Sequence, residues 1–191
     1  MINNLKRYKP CAVILKYSLS TLFFISFTAT AHQYQKIAVL IEQRLSYMKY
    51  VAKYKFEKHL SVEDHTQENK VILNSINKAE TLGLDKKSIE PFMISQINAA
   101  KAIQYRYKAD WLSMPETINQ YDDLKDIRLK ISKLSDDILL LIANELKRNG
   151  QIKNQICLYI NKIQLHNLKD ADKKIICSSL KQISLKNKNS N

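Results

Sequence analysis

The chain has 191 residues, with 31 Lys or Arg against 18 Asp or Glu and a formal net charge of +13. Two glycines and three prolines are too few for the turns of a β or mixed fold at this length, which leaves an all-α reading. The lysines are spread over every predicted helix among abundant Asn and Ile, a compositional bias rather than the clustered stripe of a nucleic-acid binder.

The first 31 residues read as a cleaved signal peptide. Lys6, Arg7, Lys9 and Lys16 make a basic start, Tyr17 to Phe27 is apolar, and Ala29-Thr30-Ala31 is a small-residue cleavage site. The apolar run is short for a membrane span; an uncleaved anchor is the alternative, because only Lys16 interrupts Ala12 to Ala31. The expected mature chain, 32–191, is exported to the periplasm or beyond, forms one domain and has no membrane segment.

A first helix is expected from Tyr34 to His59. Ile37, Leu40, Ile41, Leu45, Met48, Val51 and Ala52 trace its apolar stripe, and Arg44 and Lys55 fall near the centre of that stripe. Eleven residues span nearly three turns, so the two side chains point the same way roughly 16 Å apart. After a turn at Leu60 to Glu63, Asp64 is the expected N-cap of a second helix ending at Gly83. A third helix is expected from a Ser88 cap to Leu112, with Pro91 in its first turn. A fourth begins near Thr117 or Asp122 and ends at Gly150. Two shorter helices, Gln151 to His166 and Asp170 to Leu185, complete a bundle of about six, and Lys186 to Asn191 is a polar tail. The two shorter helices carry Cys157 and Cys177, in an exported chain most simply a disulfide, the alternative being two free thiols. The four histidines offer no metal-ligand spacing around either cysteine, so no metal is expected.

Polar groups fall on the other apolar stripes too. Gln104 is centred among Met93, Ile97, Ala100, Tyr107 and Trp111. Arg128 lies among Leu124, Ile127, Ile131, Ile138 and Ile142. Glu68 shares a face with Val71, Ile72, Ala79 and Leu82, one turn after Asp64. Singly, each has a structural explanation: an Arg44–Glu68 ion pair, a Gln104 that meets a stray carbonyl, an Arg128 that snorkels to the surface. Together, three inward cations against one strongly inward acid leave a positive excess, which a small dianionic ligand explains better than packing does.

This pattern resembles the all-helical chorismate mutases. Arg44, Lys55 eleven residues on, Asp64 nine beyond it, Glu68 four further and a Gln on a later helix carry the resemblance. The segment QINAAKAIQYRYKADW (Gln96 to Trp111), the signal peptide and the long C-terminal half are similar to the secreted, periplasmic branch of that family. The resemblance implies isomerisation of chorismate to prephenate without a cofactor. Carried over by position, Arg44 and Arg128 would bind the two carboxylates, and Lys55 a carboxylate and the ether oxygen. Gln104 would donate to that oxygen from the other side, and Glu68 with Asp64 would hold the ring hydroxyl. It further implies a homodimer whose subunits each own a complete site, and a disulfide in the C-terminal part. One position departs: the family has Arg immediately before the glutamate, where this chain has Gln67, which implies weaker substrate binding, partly offset by Lys70. Ala100 stands where some members carry a hydroxyl. The rival readings are an isochorismate pyruvate lyase on the same scaffold and a secreted helical binding protein without catalysis.

Overall fold

The computed structural model describes residues 31–114, 116 and 123–187; the expected signal segment lies outside them except for Ala31, as does the end of the polar tail. Helix α1 covers residues 31–46 and α2 covers Met48–Glu57. Tyr47 between them keeps right-handed helical angles (φ −64°, ψ −15°), and its carbonyl accepts from Val51 N at 3.1 Å, so the two make one rod, as the periodicity predicts. His59 (φ 52°) ends the rod. Asp64 then caps α3 (His65–Thr81), its side chain accepting from Gln67 N at 3.1 Å. Gly83 follows the Leu82 cap at φ 80°, a left-handed conformation that glycine adopts without a Cβ clash.

Helix α4 (Lys86–Ser113) starts earlier than expected. Asp85, not Ser88, is its cap, accepting from Ser88 N at 2.9 Å. Pro91 therefore sits in the second turn, not the first. Pro91 and Lys87, whose carbonyl the missing N–H would have met, are both exposed, so water can serve that carbonyl. Helix α5 (Leu124–Asn149) ends at Gly150 (φ 74°), and the Thr117 and Asp122 starts fall outside the described residues. The expected fifth helix shrinks to α6 (Ile156–Asn161), and α7 covers Asp170–Lys181. Ile152, Ile156, Ile160 and Ile163 are all buried, so the helical spacing was real, but tertiary hydrogen bonds take the backbone at both ends. Lys153 N donates to the Tyr34 hydroxyl (2.8 Å), and Asn167, at φ 68°, is held by Arg106 and Asp110.

Helix α4 is the hub, packed against α2 and α3 on one side and α7 on the other, while α5 closes over α2 and α3. The core runs from Ile37, Ile41 and Leu45 through Phe92, Met93 and Ile103 to Ile138, Leu139 and Ile142, and on to Ile176 and Leu180. Cys157 and Cys177 are joined, with a Cα–Cα distance of 5.4 Å, tying α6 to α7. The final described stretch returns to the α3–α4 corner: Asp85 N donates to Ser184 O (2.9 Å), Lys186 N to Gly83 O (3.0 Å) and Ser184 N to Ser88 Oγ (3.1 Å). No described helix is long and apolar enough to cross a membrane.

Candidate active site

Helices α1 to α5 enclose a cavity of about 640 Å³. Every site residue named from the sequence lines it: Arg44, Lys55, Asp64, Gln67, Glu68, Gln104 and Arg128. Lys70, Lys101, Ser132 and Ser135 join them.

Arg44 is 3 % exposed and meets no carboxylate among the described residues; its partners are neutral. Nε donates to Ser135 Oγ at 3.0 Å, and Nη1 reaches Gln96 Oε1 at 3.4 Å and Gln96 O at 3.5 Å. Burial alone pulls its pKa down to about 10, so the guanidinium remains charged at neutral pH. Lys55, 6 % exposed, donates to the Val62 carbonyl at 2.6 Å. Burial also lowers its pKa, opposed by the nearby carboxylates of Asp64 and Glu68. Among the described residues, two cations thus face the cavity with no acid bound to either.

Arg128 differs. Its side chain is 35 % exposed, and Nη2 pairs with Asp64 Oδ2 at 2.8 Å. Burial pushes the Asp64 carboxyl up, but the Gln67 N–H, Arg128 and Lys55 outweigh it and hold it below the usual carboxylate range. Glu68 does not pair with Arg44. Its Oε1 accepts from Asp64 N (3.2 Å), and its Oε2 faces Lys101 Nζ (3.1 Å), which also holds Glu63 at 2.8 Å. Glu63, His65 and Glu68 bring ligand-capable atoms within 4.8 Å of one another, but the Lys101 ammonium already meets both carboxylates.

Gln104 is 5 % exposed and folds back on its own helix, Nε2 donating to Ala100 O at 3.2 Å and to Met48 Sδ at 3.6 Å. Its Oε1 is buried with no partner among the described residues. Thioether sulfur is a weak acceptor, so one amide proton is available for a better one. Sequence reasoning missed Gln96, Ser135 and Lys101. Lys101 was detectable as a cation one turn from Gln104, but Gln96 and Ser135 gain meaning only from the helix packed against them.

The chemical capacity of the cavity follows from these groups. It can hold a small anion between Arg44 and Lys55, accept from a hydroxyl at Asp64 and Glu68, and donate from a neutral amide. Among the described residues that line it, no serine or tyrosine hydroxyl is hydrogen-bonded to a carboxylate or imidazole.

The family model for chorismate mutase type II matches residues 35–105. The secreted chorismate mutase of Yersinia pestis is 49 % identical over 176 residues, covering 91 % of this chain and 94 % of that protein. A monofunctional chorismate mutase of Enterobacter agglomerans is 34 % identical over 143 residues, covering 75 % and 79 %. The crystal structure of the Yersinia pestis secreted enzyme superposes with a TM-score of 0.73 at 51 % identity, covering 79 % of this chain and 98 % of that one.

Proposed function

From the chain's membership of the chorismate mutase type II family, we propose that its cavity binds chorismate and converts it to prephenate through the residues described above. The observation that carries the assignment of the site is the pair Arg44 and Lys55, buried, cationic and paired with no acid among the described residues, at the wall of one cavity.

The reaction is a Claisen rearrangement: one C–O bond breaks, one C–C bond forms, and no proton or group leaves. It therefore asks nothing of a nucleophile or a general base. Its first demand is conformational. A flexible dianion must be folded so that its reacting carbons touch, and fixed cations that grip both carboxylates enforce that shape. Arg44 grips one carboxylate. Arg128, with donors to spare beyond the one given to Asp64, grips the other. Asp64 and Glu68 accept from the ring hydroxyl.

The second demand is electrostatic. Bond breaking runs ahead of bond making, so negative charge grows on the ether oxygen. Lys55 and Gln104 aimed at that atom bind the transition state more tightly than the substrate, and only such a difference accelerates the step. Gln104 exchanges its Met48 sulfur contact for the ether oxygen, and Lys55 keeps the Val62 carbonyl while offering another proton. Arg128 lines the same cavity of the same chain as Arg44 and Lys55, which supports a complete site in each subunit of a homodimer. Likeness to a secreted relative supports export behind a cleaved signal segment, residues 1–31.

The test is direct. The purified chain is mixed with chorismate, and loss of its absorbance is followed together with prephenate formation. Turnover of chorismate is the expected result. Pyruvate released from isochorismate with chorismate untouched would overturn the assignment in favour of a lyase, and inertness toward both would leave a binding protein.

A further inference from the structure

Gln96 is 1 % exposed and lies on α4 two turns before Gln104, yet it does not line the cavity. Its side-chain oxygen and its own carbonyl both face Arg44 Nη1, at 3.4 and 3.5 Å. From the opposite side, Ser135 Oγ accepts from Arg44 Nε at 3.0 Å and itself donates to Ile131 O at 3.0 Å, which fixes it as an acceptor. The Nε edge and Nη1 are thus engaged, while Nη2 has no partner among the described residues. Every group that holds this buried guanidinium is neutral.

That neutrality is chemically notable. A carboxylate at position 96 would satisfy a buried arginine more fully, since a charged partner makes the stronger hydrogen bond. It would also cancel the charge a bound carboxylate needs. An apolar residue would leave the guanidinium unaimed. The amide does neither, and it sits there although its Nε2 is buried without a partner among the described residues, an arrangement that costs stability.

We propose that Gln96 is a positioning residue whose amide aims the Arg44 guanidinium at the cavity while leaving its positive charge for a substrate carboxylate. This rests on the chorismate reading of the cavity. Because Arg44 grips a group present in both substrate and transition state, and Arg128, Lys55 and Gln104 still hold the folded shape, disturbing its aim falls more on KM than on kcat.

The experiment compares steady-state chorismate kinetics and thermal unfolding of the wild-type chain, Gln96→Glu and Gln96→Met. For Gln96→Glu the expected result is a KM raised at least tenfold, kcat within about threefold and an unchanged or higher Tm, because an ion pair replaces a neutral contact. Gln96→Met, close in shape but without the acceptor, raises KM severalfold with kcat again little changed, and it decides the matter should the charged variant not fold. A KM within about twofold of wild type in both folded variants, with only Tm lowered, would overturn the proposal and leave Gln96 a packing residue. A wild-type chain that turns over no chorismate would instead refute the functional reading itself, and this inference with it.

Discussion

Arg44 and Arg106 are held by the same fold in opposite ways. Arg106, on α4, is clamped by Asp172 of α7 through contacts of 2.5 and 3.3 Å and donates to the Asn167 carbonyl at 2.6 Å. Arg44 is more deeply buried and, among the described residues, has only a serine and a glutamine. The arginine that joins two helices is given an acid; the one at the cavity wall meets none among the described residues. The same contrast separates the two halves of the molecule. Among the described residues, the cavity among α1 to α5 retains two cations without an acid and the unpartnered Gln104 Oε1, whereas α6 and α7 are tied down by the disulfide, the Arg106–Asp172 pair and the returning tail.

Variants sharpen that division. Removing Lys55 should have the largest effect. Lys55→Ala should lower kcat by about a thousandfold or more in a chorismate assay, with helicity by circular dichroism retained. Next comes Gln104→Glu, because an amide donates at any pH and a carboxyl only when protonated. Its turnover should match the wild type only in acid and fall steeply toward pH 8, where the wild type stays level; equal activity at pH 8 would remove Gln104 from the ether oxygen. On the alkaline side, the wild-type kcat/KM should decline before an ordinary lysine would lose its proton, because burial lowers the Lys55 pKa and rising pH discharges it sooner.

The C-terminal half should respond in stability and not in chemistry. Cys157→Ser with Cys177→Ser opens a loop of sequence separation 20, and should lower Tm by about 10 °C, a loss of about 3 kcal/mol, with KM and kcat unchanged. Asp172→Asn, which weakens the clamp on Arg106, should lower Tm by a few degrees, about 1–2 kcal/mol, again with kinetics intact. The smallest effect returns to the cavity. Gln67→Arg adds a charge where the family carries one, and should lower the KM for chorismate about threefold, because the added cation meets a substrate carboxylate.

The helices and most of the site were legible because each rests on a local rule. Asp64 and Gly83 announce the ends of α3, and the buried stripe on α4 follows the 3.6-residue repeat from Met93 to Trp111. Arg44, Lys55 and Gln104 stood out as polar intrusions on such stripes, and all three are buried at the cavity wall. Arg128 lies on the apolar stripe of its own wheel but is 35 % exposed and paired with Asp64, a relation between two helices that no single helical wheel contains. The fifth helix was overextended for the same reason. Its apolar spacing was sound, but Tyr34, Arg106 and Asp110, remote in sequence, compete for the backbone and side chains around it. Gln96 sat inside the segment that carried the resemblance, yet its task depends on Arg44, 52 positions away.

The return of the chain end to Gly83 and Asp85 bears on how the protein can be handled. A truncation before Ser184 would strip partners from the Gly83 carbonyl and the Asp85 amide at the corner that launches α4, and with it the helix that carries Gln96 and Gln104. A protease that nibbles past Lys186 would therefore remove a fastening of α4 rather than a dispensable tail.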